Sequence, residues 1–106
     1  MASNTIKMVV KLHGTVASIA AIMNHPMETG FRKDPKTATI VPAHFIEEVV
    51  CTLNGTTILT ALWSGAVSKH PYLSFHVQDA KAGDVVALQW RDNTGDTDAI
   101  ETKIVG

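Results

Sequence analysis

Histidine and cysteine are the side chains of this sequence whose types could perform chemistry. There are five histidines and one cysteine, and His25, His44 and Cys51 could supply imidazole and thiolate ligands to a soft or borderline metal ion. Their spacing matches no recognised metal-binding pattern, and a metal site proposed from residue types alone, without such a spacing, is a weak hypothesis. The other histidines are expected near a turn, in a loop and on the outer face of a strand, namely His13, His70 and His76. We therefore expect no metal and no other cofactor.

Cys51 could in principle be a nucleophile or a sulfur carrier. It lies on the same face of a predicted strand as Phe45, Val49 and Leu53, which should turn it into the core. A buried thiol without a nearby cation has a raised pKa and little thiolate. Packing as a small hydrophobic residue is therefore the preferred role, and a lone cysteine cannot form an intramolecular disulfide.

The acidic residues offer no acid/base pair. Glu47 and Glu48 are adjacent on a predicted strand, so their side chains point to opposite faces. Glu47 shares its face with Phe45 and Val49, so it either reaches solvent at the start of the strand or meets a basic partner, which Arg32 or Lys33 could supply. The sequence also lacks a phosphate-binding loop, a nucleophile elbow and a defensible Ser/His/Asp order. We therefore predict that the chain is not an enzyme.

Alternation of apolar and polar residues dominates the sequence and predicts strands. Asn54-Gly55 lies between two such runs and is a strong hairpin signal. A helix is the alternative for residues 16–23. The predicted strands lie in the segments 6–12, 16–23, 45–53, 56–63, 72–78, 86–90 and 100–104. The expected fold is an all-β, immunoglobulin-like β-sandwich of six or seven antiparallel strands, forming a single domain over residues 1–106.

The stretch from His25 to Pro42 is predicted to be a long loop. Loops of this length tend to be either functional or disordered. Met27 and Phe31 are candidate apolar anchors that would favour order, and the cluster Arg32-Lys33-Asp34 adds mixed charge. The loop is therefore either a recognition surface or a cover for one end of the sandwich.

Charge and hydropathy restrict the partners and the location. The 106 residues carry a net charge of −1, which gives no strong field toward nucleic acid or anionic lipid. No apolar run approaches the roughly 20 residues of a membrane span. Residues 1–12 alternate lysine with apolar residues, so no signal peptide is expected. On these grounds alone the location stays open, because a protein can also be exported with a partner that carries the signal.

Two blocks resemble a known family. The residues NHPMETGFRKD at 24–34 and VPAHFI at 41–46 are similar to the HPMETGxRKD and IPAHFI blocks of the Z subunit of the Sox sulfur-oxidation carrier complex, the SoxZ family. The likeness continues through CTLNG at 51–55, SKHPYLSF at 68–75 and WRDNTG at 90–95. His70 departs from the family, which often has asparagine before this proline.

The resemblance implies a non-catalytic subunit of a sulfur carrier. It implies a heterodimer with the SoxY subunit, whose flexible Gly-Gly-Cys-Gly-Gly tail carries the sulfur intermediates of thiosulfate oxidation. The reactive cysteine would then be in the partner, and other Sox enzymes would make transient contacts. It also implies a periplasmic location, reached by export with the signal-bearing SoxY.

The long loop is the candidate surface for this partner, since it combines apolar anchors, a proline-stiffened entry and charges that could set orientation. We hypothesise that its partner-binding residues are His25, Met27, Glu28, Arg32, Lys33, Asp34 and His44.

Two alternatives stay open. His25-Pro26-Met27 and His44-Phe45-Ile46 are also similar to part of the superoxide reductase family, whose immunoglobulin-like domain holds one iron with four histidines and one cysteine. That family's late Cys-x-x-His pair is missing here, and Cys51 has Asn54 in the histidine position. The other alternative is a free-standing adhesive or structural sandwich, although the edges of its sheets would still favour pairing with another chain. In that case a homo-oligomer of the isolated chain is possible.

Overall fold

The computed structural model describes residues 3–106, and this part of the chain contains seven strands. No helix in the described range is long and apolar enough to cross a membrane. The strands are β1 (Ile6–His13), β2 (Val16–Met23), β3 (Ile46–Leu53), β4 (Thr56–Leu62), β5 (Tyr72–Val77), β6 (Val85–Asp92) and β7 (Thr97–Lys103). The predicted all-β class is confirmed, and residues 16–23 form a strand.

The strands form two antiparallel sheets, as expected of a β-sandwich. One sheet has the order β1-β2-β5 and the other has the order β4-β3-β6-β7. In constant-type immunoglobulin domains the fourth strand joins the sheet of the first, second and fifth strands. Here β4 pairs with β3, so β4 is an edge strand of the larger sheet.

The inner faces of both sheets form the core, and the alternation in the sequence predicted them. Every second residue of β2 from Ala17 to Met23 is buried, and the same holds for β6 from Val86 to Trp90. The turn between β3 and β4 has positive φ at Asn54 (51°) and Gly55 (84°). This is the backbone that a type I′ turn requires and that Asn-Gly tolerates best.

A β-bulge at the start of β3 changes the predicted inner face. The pairing with β6 shifts register between Ile46 and Glu48, and Ile46 is fully buried while Phe45 is only half-buried. The predicted basic partner of Glu47 is also wrong. Arg91 donates to Glu47 at 2.7 Å, whereas Arg32 of the loop bonds to Glu28. A single extra residue in one strand was enough to redirect these side chains.

The long loop is an ordered hairpin, which we call the finger and define as residues 28–44. Its base is closed by main-chain bonds of 2.6 and 3.0 Å between Glu28 and His44. Further out, Val41 donates to the Arg32 carbonyl at 2.7 Å. The molecule is 54 Å long, roughly twice the ~27 Å of an eight-residue strand. The finger therefore projects from the sandwich.

Candidate functional site

His25, three residues before the finger, and His44, its last residue, both contact one aspartate at the end of β6. Asp92 Oδ2 accepts from His25 Nε2 at 3.0 Å and from His44 Nε2 at 2.8 Å. His25 and Asp92 are buried, and the His44 side chain is about one-third exposed. We call these three residues the His-Asp-His clamp. Because it joins both ends of the finger to the sandwich, it fixes how the finger projects.

The hydrogen bonds of His25 determine its tautomer. The Met27 backbone N–H donates to His25 Nδ1 at 3.1 Å, so Nδ1 is an acceptor and carries no proton. Nε2 must then carry the proton and donate it to Asp92. The ring is further held edge-on against His44 and Trp90, with centroid distances of 4.6 and 5.2 Å. His25 is therefore a neutral structural donor in this arrangement.

The second oxygen of Asp92 holds the turn between β6 and β7. Oδ1 accepts from Thr94 N and Oγ1 at 3.0 and 2.7 Å and from Asp96 N at 3.0 Å. Burial raises the pKa of this carboxyl, but hydrogen bonds from His25, Thr94, His44 and Asp96 outweigh burial and hold the pKa well below its usual range. Asp92 is thus a buried carboxylate stabilised by five donor atoms.

This arrangement predicts a loss of stability in acid. A carboxyl whose pKa is lower in the folded state contributes stability above its unfolded pKa of about 3.9, and that contribution is lost as the pH falls below it. We expect the free energy of unfolding to fall between about pH 5 and pH 2, and to fall less in Asp92→Asn. Some slope should remain from Asp84, whose pKa the Asn54 amide lowers by hydrogen bonding. Urea unfolding at several pH values measures this, and equal slopes for both proteins would contradict it.

The three clamp residues also lie close enough together to hold a metal ion, because their potential ligand atoms are within 4.8 Å of one another. The hydrogen bonds favour the clamp instead. His25 Nε2 carries a proton as long as Met27 donates to Nδ1, and a protonated nitrogen has no lone pair for a metal. Loading a metal would require breaking that bond.

The iron-enzyme alternative is not supported by the position of the cysteine. Cys51 is paired with Leu88, whereas Ile46 at the start of the same strand is paired with Asp92. Cys51 is therefore several residues along β3 from the clamp and is fully buried in the core, as predicted.

Close contacts hold the base of the finger. A Cβ on Gly30 would lie 3.0 Å from the Ala43 Cβ, and Gly30 has a φ of +89°. A Cβ on Gly65 would lie 2.9 Å from the Thr29 Cα, so the loop after β4 also touches the finger. Asn93, next to Asp92, donates to the Ala43 carbonyl at 2.9 Å. Only glycine fits the two close approaches.

The outer part of the finger exposes apolar side chains. Phe31 is 87% exposed and Ile40 is 55% exposed, so Phe31 does not anchor the loop to its own domain as predicted. The predicted anchor Met27 is buried, and its sulfur accepts from Ile46 N at 3.4 Å. Glu28 and Arg32 form a two-pronged ion pair along the finger, with distances of 3.0 and 3.1 Å. The finger thus presents apolar groups beside ordered charges.

The match to a family model decides the family. The model described as "Sulphur oxidation protein SoxZ" matches residues 6–103 of the 106-residue chain. This chain belongs to the SoxZ family. No curated protein matches the chain. As a SoxZ protein, it is a component of sulfur oxidation.

Three of the blocks that suggested SoxZ, at 24–34, 41–46 and 90–95, contain the clamp and most of the finger. Of the predicted site residues, His25 and Met27 are buried beneath the finger, and Glu28 and His44 are at its base. Arg32, Lys33 and Asp34 lie on the finger itself. Their assignment to partner binding stays a prediction. Sequence reasoning missed the role of Asp92, which appeared only as part of the WRDNTG block.

Burial predicts that the SoxZ cysteine does not react. Desolvation raises the pKa of the Cys51 thiol to about 11. We expect thiol reagents at pH 8 to label Cys51 only after unfolding, and Cys51→Ala to keep the fold. Intact mass after labelling, with and without denaturant, measures this. Labelling of the native protein at the rate of a free thiol would contradict it, and the denatured sample is the internal control.

Proposed function

We propose that this chain is the non-catalytic Z subunit of a SoxYZ sulfur-carrier heterodimer that works in thiosulfate oxidation. In this role it scaffolds a SoxY subunit whose C-terminal cysteine carries the sulfur intermediates. The family match over residues 6–103 carries the proposal. The match shows a sulfur-oxidation protein, and the following contacts support the proposed division of labour between the subunits.

The described residues support a scaffold role because their chemical groups are already engaged. The thiol of Cys51 is buried and its pKa is raised to about 11, so it is poorly suited to carry sulfur. The buried carboxylate of Asp92 and the Nε2 atoms of His25 and His44 are used in the clamp. The reactive group is therefore expected in the partner.

The finger is the surface we assign to SoxY. Exposed apolar side chains that are held rigidly bind with a small entropy cost, and they typically dominate the energy of an interface. Phe31 and Ile40 meet this description, because the clamp and the main-chain bonds hold the hairpin beneath them. Arg32, Lys33 and Asp34 would set the orientation and the association rate more than the affinity.

The heterodimer would meet other Sox enzymes transiently, as a carrier must. It would function in the periplasm and reach it by export together with the signal-bearing SoxY subunit. The family match supports this setting only through the carrier system that it implies.

Reconstitution tests the proposed function. Purified SoxY and this chain should form a complex of equal stoichiometry by native mass spectrometry. Thiosulfate-dependent electron transfer by the other purified Sox components should require both subunits, and this chain alone should give none. Turnover with SoxY alone at the full rate, or turnover by this chain without SoxY, would contradict the proposal.

A further inference from the structure

The two edges of the four-stranded sheet differ in charge. Edge strands expose unpaired main-chain groups, and soluble proteins usually protect them with charged residues, proline or bulges. The edge strand β7 contains Asp98, Glu101 and Lys103. The other edge strand, β4, has the sequence TTILTAL and contains no charged residue and no proline. Its register with β3 shifts once, between Cys51 and Thr52, and is regular from Leu59 to Leu62.

The register shows which main-chain groups of β4 face away from its sheet. Trp63 N donates to the Glu47 carbonyl at 2.9 Å, and Ala61 is paired with Val49. In an antiparallel pair, residues that bond to the partner alternate with residues that do not. The N–H and C=O groups of Thr60 and Leu62 therefore point outward. No strand in residues 3–106 pairs with this side of β4, and the Leu62 side chain is 77% exposed.

We propose that β4 pairs with β4 of a second copy of this chain, antiparallel and around a two-fold axis at Ala61. Thr60 of each copy is then opposite Leu62 of the other, and each such pair forms two main-chain hydrogen bonds. The two four-stranded sheets become one continuous sheet. This inference does not rest on the proposed function.

The absence of charged residues makes β4 suited to pair with β4 of a second copy. Around a two-fold axis a strand meets its own sequence, so any charge on it lies near the same charge. Pairing of the edge strand β1 with its own copy would bring Lys7 and Lys11 of the two copies together, whereas β4 contains no charged residue that would repel its copy. The exposed Leu62 side chain would also cover the neighbouring Thr60 of the second copy, because diagonal and opposite residues on one face are in contact.

Sedimentation of the purified chain from about 1 to about 200 µM tests the proposal. The native chain should show a concentration-dependent dimer. Leu62→Lys adds like charges beside the axis, and Thr60→Pro removes an outward N–H that is not bonded within residues 3–106. Each should weaken self-association at least about tenfold. Leu62→Lys decides the result if the proline variant does not fold.

Val9→Lys is the matched control, since it places the same charge at an exposed apolar position of the edge strand β1. It should leave the dimer unchanged. The proposal is overturned by a native chain that stays monomeric at the highest concentration. It is equally overturned by a dimer that the β4 variants do not weaken, or that Val9→Lys weakens as much. If the native chain is monomeric and the β4 variants bind SoxY more weakly than it does, the β4 edge belongs to the SoxY interface instead.

Discussion

Replacing Asp92 with asparagine is expected to lower the free energy of unfolding by about 2–4 kcal/mol. The amide keeps one oxygen for Thr94 and Asp96 but places an NH₂ group where Oδ2 accepts from His25 and His44. His44 is partly exposed and can turn toward water. His25 cannot change tautomer without losing its bond from Met27 N–H. At least one buried donor is therefore left facing another donor.

Urea unfolding at pH 7 measures the effect, and hydrogen exchange shows where it acts. We expect the amides of the finger to exchange faster in the variant, because the clamp joins both finger ends to β6. Asp79→Asn is the matched control: Asp79 is exposed and has a φ of 60°, a conformation that asparagine also tolerates. A loss below about 0.5 kcal/mol for Asp92→Asn, similar to that of an ordinary surface change, would contradict the clamp.

Replacing Phe31 with aspartate is expected to weaken the binding of SoxY roughly 100-fold. An aromatic side chain that is 87% exposed on a rigid hairpin contributes little to the stability of its own chain. Its removal should therefore cost mainly the contact with a partner, and the new carboxylate would be desolvated there. Titration calorimetry or surface plasmon resonance with purified SoxY measures the change.

Val105→Asp is the control for this prediction, because Val105 is similarly exposed (83%) and lies outside the finger. It should leave the affinity for SoxY within about twofold of the native value. Equal affinities for native chain and Phe31→Asp would remove the finger from the interface. A lower stability of Phe31→Asp would show that Phe31 packs on its own domain, and unfolding curves of the two variants exclude or detect this.

Local pattern was sufficient to predict the strands and their turns. Alternation in β1, β5 and β6 has a period of two because each of these strands has one face on the core. Asn54-Gly55 predicted its hairpin because both positions need a positive φ. In each case the physical cause acts within a few residues, so the sequence shows it directly.

The clamp could not be predicted because its residues come from three distant segments. His25 and Asp92 are 67 positions apart, and His44 and Asp92 are 48 apart. Nothing local distinguishes Asp92 from any other aspartate at the end of a strand. The family resemblance gave the three blocks that contain these residues but not their contact, which depends on how β6 is paired with β3.

Two errors in the sequence interpretation have a related cause. Phe31 was expected to anchor the loop, but the loop forms its own hairpin and leaves this side chain outside. Arg32 and Lys33 of the loop were the candidate partners of Glu47, but the bulge in β3 places Glu47 beside Arg91. Hydrophobicity and charge indicate that a side chain needs a partner, and only the tertiary structure determines which one it has.

Co-purification tests the central claim most directly. The chain, tagged and expressed in a sulfur-oxidising cell, should be recovered from the periplasm with one partner at equal stoichiometry. Intact mass should show that the partner ends in a Gly-Gly-Cys-Gly-Gly tail and that it loses mass on reduction, while this chain does not change. A chain recovered alone, or one whose own Cys51 carries the reducible mass, would contradict the account of a non-catalytic carrier subunit.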